Sequence, residues 1–122
     1  MQKLGPNQAK WVEALESGDF EQGQLALKKD NKYCCLGVAA EIFKTNNVKI
    51  NVGWVGTIIY DGCEGVAPEY VMQALSLNSE LGDRSDGSRG TSLYALNDYG
   101  HTFSEIASIL RTDPSAYFTK ES

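Results

Sequence analysis

The run Tyr33-Cys34-Cys35-Leu36-Gly37-Val38-Ala39-Ala40-Glu41-Ile42-Phe43 limits the fold more than any other stretch of the chain. Leu36, Ala39, Ala40 and Phe43 recur at helical spacing, and Cys35, Val38 and Ile42 cover the adjoining face. Only Glu41 and the flanking Lys32 and Lys44 carry charge. A helix that is apolar on most sides is normally buried. The small Cys34, Cys35 and Gly37 would let other elements come close to its first turn. The spacing therefore predicts a central helix with the remaining elements packed around it, and the paired thiols read first as small core residues.

The 122 residues suit a single domain spanning 1–122, which is long enough to bury a core without covalent staples. The formal charge of −5 offers no general basic field for DNA, RNA or a membrane surface. It leaves room for a local basic pocket that takes a small anion. Three cysteines, two of them adjacent, fit no disulfide framework and suit a reducing cytoplasm. Cys34, Cys35, Cys63 and His101 lack the usual spacing of a zinc set. No metal or cofactor is expected. The N-terminal segment has no apolar core and no run reaches membrane-spanning length, so the expectation is a soluble, intracellular protein.

Along the chain, Asn7 is a candidate cap for a helix over 8–17 that ends at Gly18, with Trp11, Val12 and Leu15 as its apolar stripe. A short hairpin, 24–29 against 32–35, should turn at Asp30-Asn31 and carry Lys28, Lys29 and Lys32 at its tip. The central helix should end near Asn46-Asn47. Val48, Ile50 and Val52 alternate as a strand does, and Trp54–Tyr60 reads as a second strand on aromatic and β-branched content. Trp54 and Tyr60 then share a face, either in the core or on a pocket wall. Asp61-Gly62 marks a tight turn, and Pro68 fits the first position of a third helix ending at Asn78. Thr91–Asp98 should be a short helix. Thr102 and Glu105 form a capping box for the next, striped with Phe103, Ile106, Ala107 and Leu110. A final turn starts at Asp113-Pro114, with Tyr117 and Phe118 packing back and a frayed tail over 119–122. The fold class is α+β: four to five short helices around a central buried helix, with a small antiparallel sheet.

Residues 79–90 form a polar, glycine-rich loop holding Arg84 and Arg89, two of three arginines in the chain. Guanidinium groups bind phosphate through their planar forks. Nucleotide-like ligands also need stacking faces and hydrogen-bonding edges. Trp54, Tyr60 and Tyr94 supply faces, and Asn97 and Asp98 supply edges. Lys32, His101 and the N-terminus of the helix capped by Thr102 add anion contacts. A Cys34/His101 pair with Asp98 or Asn97 can be written as a nucleophilic set for a small hydrolase or transferase, but no hydrolase elbow, phosphate loop or dinucleotide fingerprint accompanies it. The 93–110 segment is similar to a helix-turn-helix. Residues 113–121, where a DNA reader would bring positive charge, hold one lysine and two acids, which is poor DNA chemistry.

Three stretches carry a resemblance. Trp11-x-x-x-Leu15-x-Ser17-Gly18-Asp19-Phe20-x-Gln22, the Tyr33–Val38 run, and Leu96-Asn97-Asp98-x-Gly100-x-x-Phe103-x-Glu105-Ile106-Ala107 are similar to small phage and prophage proteins with a "YCCLGV … LND-G-x-x-F-x-EIA" pattern. The resemblance implies a viral origin. By analogy of class it implies an anti-defence factor. The leading expectation is a homo-oligomeric sponge that sequesters a nucleotide-derived immune signal, such as a cyclic oligonucleotide or a cyclic ADP-ribose isomer. The alternatives are a protein-interaction factor that blocks a host protein and an enzyme using Cys34 or His101.

Overall fold

Helix α2 occupies Cys35–Ile42, inside the run that predicts it, and Cys35 through Ala40 are all buried. The computed structural model describes residues 2–88 and 90–122. The remaining helices are α1 (Pro6–Glu16), α3 (Glu69–Leu75), α4 (Leu93–Asp98) and α5 (Phe103–Thr112). Strands β1 (Glu21–Gln22), β2 (Lys28–Lys29) and β3 (Lys32–Tyr33) form a sheet in the order β1-β3-β2, and β4 (Ile50–Val52) pairs antiparallel with β5 (Ile58–Tyr60). The architecture is α+β, as the periodicities predict. The first sheet is mixed, because β1 lies parallel to β3.

The first helix starts earlier than Asn7 suggests. Gly5 is its cap, Pro6 takes the first helical position that suits its fixed φ, and Gln8 reaches back to accept the Gly5 N–H at 2.9 Å. Asn7 lies inside the helix and donates to the Ala74 carbonyl. Trp11, Val12 and Leu15 are buried, and the Trp11 indole N–H donates to the Cys35 carbonyl at 3.0 Å. Trp11 also meets Phe118 edge-on, with centroids 6.3 Å apart. Helix α1 thus packs on both α2 and α5.

The hairpin forms, but shrinks to Lys28–Lys29 against Lys32–Tyr33. Asp30 and Asn31 both have positive φ, 53° and 62°, which is the turn geometry that matches strand twist. Gly37 faces this hairpin closely enough that a β-carbon there would overlap the Leu27 carbonyl. The absence of a side chain at Gly37 is what lets the hairpin lie on α2.

Several boundaries differ from the sequence reading. Helix α2 ends at Ile42, well before Asn46, and Phe43 is its C-cap, with its N–H still donating to the Ala39 carbonyl at 3.1 Å. Pro68 is the cap of α3 and not its first residue, and α3 stops at Leu75 with Ser76 in the left-handed conformation. Trp54–Tyr60 is not one strand. Trp54–Gly56 is a 3-10 turn in which Val55 has φ 53°, and only Ile58–Tyr60 is extended. Trp54 is consequently 86% exposed while Tyr60 is 1% exposed, so they share neither face nor environment. The tail is tied down: the Ser122 carbonyl accepts from the Gln8 N–H, the Thr119 N–H donates to the Ser76 carbonyl, and Gln8 Nε2 donates to Leu75 and Lys120 carbonyls. The box of Thr102 and Glu105 and the packing of Tyr117 and Phe118 are present as predicted.

Candidate functional site

Three of the residues quoted for the pattern, Gln22, Cys35 and Asp98, meet at one side chain, Asn97. It is fully buried near the end of α4. Its Oδ1 accepts from the Cys35 N–H at 3.1 Å and from Gln22 Nε2 at 2.9 Å. Its Nδ2 donates to the Gly23 carbonyl at 2.8 Å and approaches Asp98 Oδ1 at 3.3 Å. Cys35 opens α2, so Asn97 satisfies one of that helix's unpaired first-turn amides from 62 residues away. Gln22 does the same for α5: its Oε1 accepts from the Phe103 N–H at 3.0 Å, while its Nε2 also donates to the His101 carbonyl at 2.7 Å. Two amide side chains therefore lock β1, α2, α4 and α5 together. The motif reads as architecture before it reads as chemistry.

Two openings flank this hub. One, of about 460 Å³, is lined by Gln22, Gly23, Gln24, Lys32, Gly100 and His101. The other, of about 220 Å³, is lined by Leu25, Tyr94, Ala95, Asp98 and Tyr99. Their walls are continuous in sequence, through 22–25 on one side and 98–101 on the other. The Leu25 N–H donates to Asp98 Oδ1 at 3.1 Å, and Leu25 holds a left-handed φ of 68°. Asp98 Oδ2 is buried without a hydrogen-bond partner. Burial first, and then the Asp98 carboxylate, push the Tyr94 phenol above its usual range.

Of the residues the sequence nominates, Lys32, Tyr94, Asn97, Asp98 and His101 gather here. Asn97 is saturated by structural bonds and offers a ligand nothing directly. Lys32 sits 3.8 Å from Glu21 Oε1 with its side chain half-exposed. Thr102 is at the rim, but the helix end it caps is already occupied: Glu105 accepts the Thr102 N–H, Thr102 accepts the Glu105 N–H, and Gln22 takes Phe103. The anion site expected at that helix end is filled by the protein's own carboxylate.

The other candidates lie elsewhere. Tyr60 donates to Glu41 at 3.1 Å, and burial raises its phenol pKa. Trp54 stands in solvent beside the β4–β5 hairpin. Arg84 is held by Asp86 and Asp113 at 3.4 and 3.6 Å and lies over the Tyr117 ring at 5.5 Å. It lines neither of the two openings beside Asn97. Arg89 lies outside the described residues. The loop expected to grip a ligand is instead pinned to the 3-10 turn Pro114–Ala116 by the Ser85 N–H, which donates to the Ala116 carbonyl. A third opening, of about 660 Å³, is lined by residues the sequence did not nominate, among them Asp61, Cys63, Glu69, Glu80 and Thr119.

Cys34 caps α2, its Sγ accepting the Gly37 N–H at 3.3 Å. Burial pushes its thiol up to about 11, and that of Cys35 well above the usual value. Both are held as thiols at neutral pH, which is poor chemistry for a nucleophile. Among the described residues no group of three or more His, Cys, Asp or Glu is clustered for a metal, and no helix is long and apolar enough to cross a membrane.

Sequence reasoning missed Gln8 and gave Gln22 no role. For Gln8 the available signal was an uncharged amide just inside a helix whose cap is a glycine; no local signal tied Gln22 to α5, 81 residues away. No curated protein and no solved structure matches the chain. Over residues 6–113 it matches the family described as Domain of unknown function (DUF8296), and the chain belongs to that family.

Proposed function

We propose that this protein is a non-catalytic binder that sequesters a small, anionic, nucleotide-derived ligand in the paired openings beside Asn97. The observation that carries the reading is the meeting of Lys32, His101 and Gln24 around one opening, next to Tyr94 and Tyr99 around the other. A cationic ammonium suits a phosphate, amide groups suit base or ribose edges, and an aromatic ring suits a base face. The locked hub behind them supports a preformed site, which lowers the ordering cost of binding. With the resemblance to phage proteins, the fitting role is that of an anti-defence sponge in the host bacterial cytoplasm, acting as a homo-oligomer.

Calorimetry against cyclic dinucleotides, cyclic trinucleotides and cyclic ADP-ribose isomers tests this. A binder is expected in the panel, with Lys32→Ala and Tyr94→Ala each weakening it at least about tenfold. Silence across the panel removes the reading.

A second reading, inhibition of a host protein, draws on the exposed apolar groups Ile50, Val52, Trp54, Val55, Leu25 and Tyr99. Contiguous exposed apolar surface marks interaction sites. Pull-down from a bacterial lysate separates the two: a stoichiometric protein favours inhibition, a heat-released small molecule favours the sponge. An enzyme built on Cys34 has the least physical support, because that thiol is buried and spent as a helix cap.

A further inference from the structure

The β4–β5 hairpin has a free edge whose main-chain phase can be read. Its register pairs Ile50 with Tyr60, Asn51 with Ile59 and Val52 with Ile58. The Asp61 N–H donates to the Lys49 carbonyl at 2.8 Å, and the Gly53 N–H to the Thr57 carbonyl at 2.7 Å. Bonded and non-bonded pairs alternate along an antiparallel ladder. Lys49, Asn51 and Gly53 therefore turn their amides toward β5, and Ile50 and Val52 turn theirs outward. Among the described residues β5 is the one strand that pairs with β4.

The side chains add a second observation. Directly paired residues share a face, so Ile50 and Val52 continue the face on which Tyr60 is buried and Ile58 packs against the core. Yet Ile50 is 46% and Val52 72% exposed. The inner, core-facing side of the sheet overhangs the core by one strand. Protein edges are commonly guarded by charge, proline or a bulge. The run Ile50–Gly56 contains neither a charge nor a proline.

We propose that this edge is a self-association surface, on which a second copy of the chain pairs antiparallel about Asn51 to give a four-stranded sheet, β5–β4–β4–β5. Self-complementarity picks the occupant. A two-fold axis at Asn51 sets Ile50 opposite the second copy's Val52 in two bonded pairs, using all four outward groups. Asn51 meets its own copy, where two amides can bond each other. Lys49 falls opposite the second copy's Gly53, so no like charges meet. Apolar rows Tyr60–Ile50–Val52–Ile58 then run unbroken across both copies, and the interface is isologous and closed.

The inference deepens the homo-oligomer part of the proposed function and does not depend on the ligand. Asn51 would sit in a non-bonded pair, where Cα atoms lie about 4.5 Å apart, within disulfide reach. In the full chain carrying Cys63→Ser, Asn51→Cys should form a covalent dimer under mild oxidation, and Lys49→Cys should not. Sedimentation of the unmodified chain should show a concentration-dependent dimer. Val52→Lys should weaken it at least tenfold while leaving in place the thermal midpoint measured at concentrations where the unmodified chain is monomeric. A monomer at all concentrations, equal cross-linking from Lys49→Cys, or a dimer that ignores Val52→Lys overturns the proposal. A monomer that binds the nucleotide panel sinks the edge pairing alone. A dimer silent to the panel sinks the ligand reading alone.

Discussion

The Asn97 hub and the β4–β5 hairpin are opposite solutions to placing polar and apolar groups. At the hub every amide atom of Asn97 and Gln22 is bonded, and the bonds join elements far apart in sequence. At the β4 edge of the hairpin, apolar side chains and edge amides face water with no partner among the described residues. A buried polar group left unpaired is costly, so the hub is fixed by the fold's own needs. Exposed apolar groups cost the fold little, so the hairpin is free to serve something outside it. The residues most easily matched to a family pattern are thus the ones most committed to structure. Those available for recognition lie in the openings beside the hub and on the hairpin.

The contrast is open to attack from the hub first. Asn97→Ala would strand the buried Cys35 N–H and leave the part-buried Gly23 carbonyl without its donor, while Gln22 Nε2 keeps its bond to the His101 carbonyl. At about 1–3 kcal/mol for each unsatisfied group, we expect a loss of about 2 kcal/mol or more in urea unfolding. A loss under about 1 kcal/mol would show that water or relaxation replaces these bonds, and the hub would lose its status.

Thiol chemistry sharpens the same division. With a pKa of about 11, Cys34 is ionised on the order of a hundred times less than an ordinary thiol at neutral pH. Native protein should therefore show one thiol that reacts, the partly exposed Cys63 next to the hairpin, slowed because burial raises its own pKa, with Cys34 and Cys35 released only on unfolding. Labelling followed by mass spectrometry reads this out. Rapid modification of Cys34 in native protein would mean that the cap opens.

A smaller effect is expected where α1 meets α5 at the surface. Arg111 donates to both carboxylate oxygens of Glu16 and holds its pKa below the usual value. A depressed carboxylate stabilises the fold above its unfolded pKa, about 4.3, and that contribution is lost as pH falls through the folded value. The pair is largely exposed, so Arg111→Ala should cost no more than about 1 kcal/mol at pH 7. The difference from the parent should shrink with salt, and should be lost as pH falls through the lowered carboxylate pKa of the folded state. Urea titrations at pH 7 and pH 3 check it.

The smallest stability change belongs to the hairpin. Trp54→Ala removes a side chain that is 86% exposed and should leave stability within about 0.5 kcal/mol. A large loss by thermal denaturation would mean that the tryptophan packs in solution, and the contrast with the hub would collapse.

Local signals were legible where one mechanism decided the outcome. The apolar run located α2, Thr102 with Glu105 located the start of α5, and Asp30-Asn31 located a tight turn. They misled where neighbours decided. Asn7 looked like a cap, but Gln8 draws the start back to Gly5. Trp54–Tyr60 has strand composition, but left-handed Val55 and Gly56 break the alternation and turn Trp54 outward. Arg84 had the chemistry of a phosphate clamp and was claimed by Asp86, Asp113 and Tyr117. At the candidate site, residue types in the Asn97–His101 stretch were readable, while their division into structural Asn97 and accessible Lys32, Tyr94 and His101 was not.

Hydrophobic periodicity and capping act within a turn or two of the chain, so the helices, their buried faces and the α+β class were already written in the order of residues. Which polar side chains are spent internally depends on partners 60 or more residues away, such as Asn97 on Cys35 and Gln22 on Phe103. That division emerges only in the folded molecule, because a hydrogen bond needs both groups within about 3 Å, and no local pattern encodes that meeting.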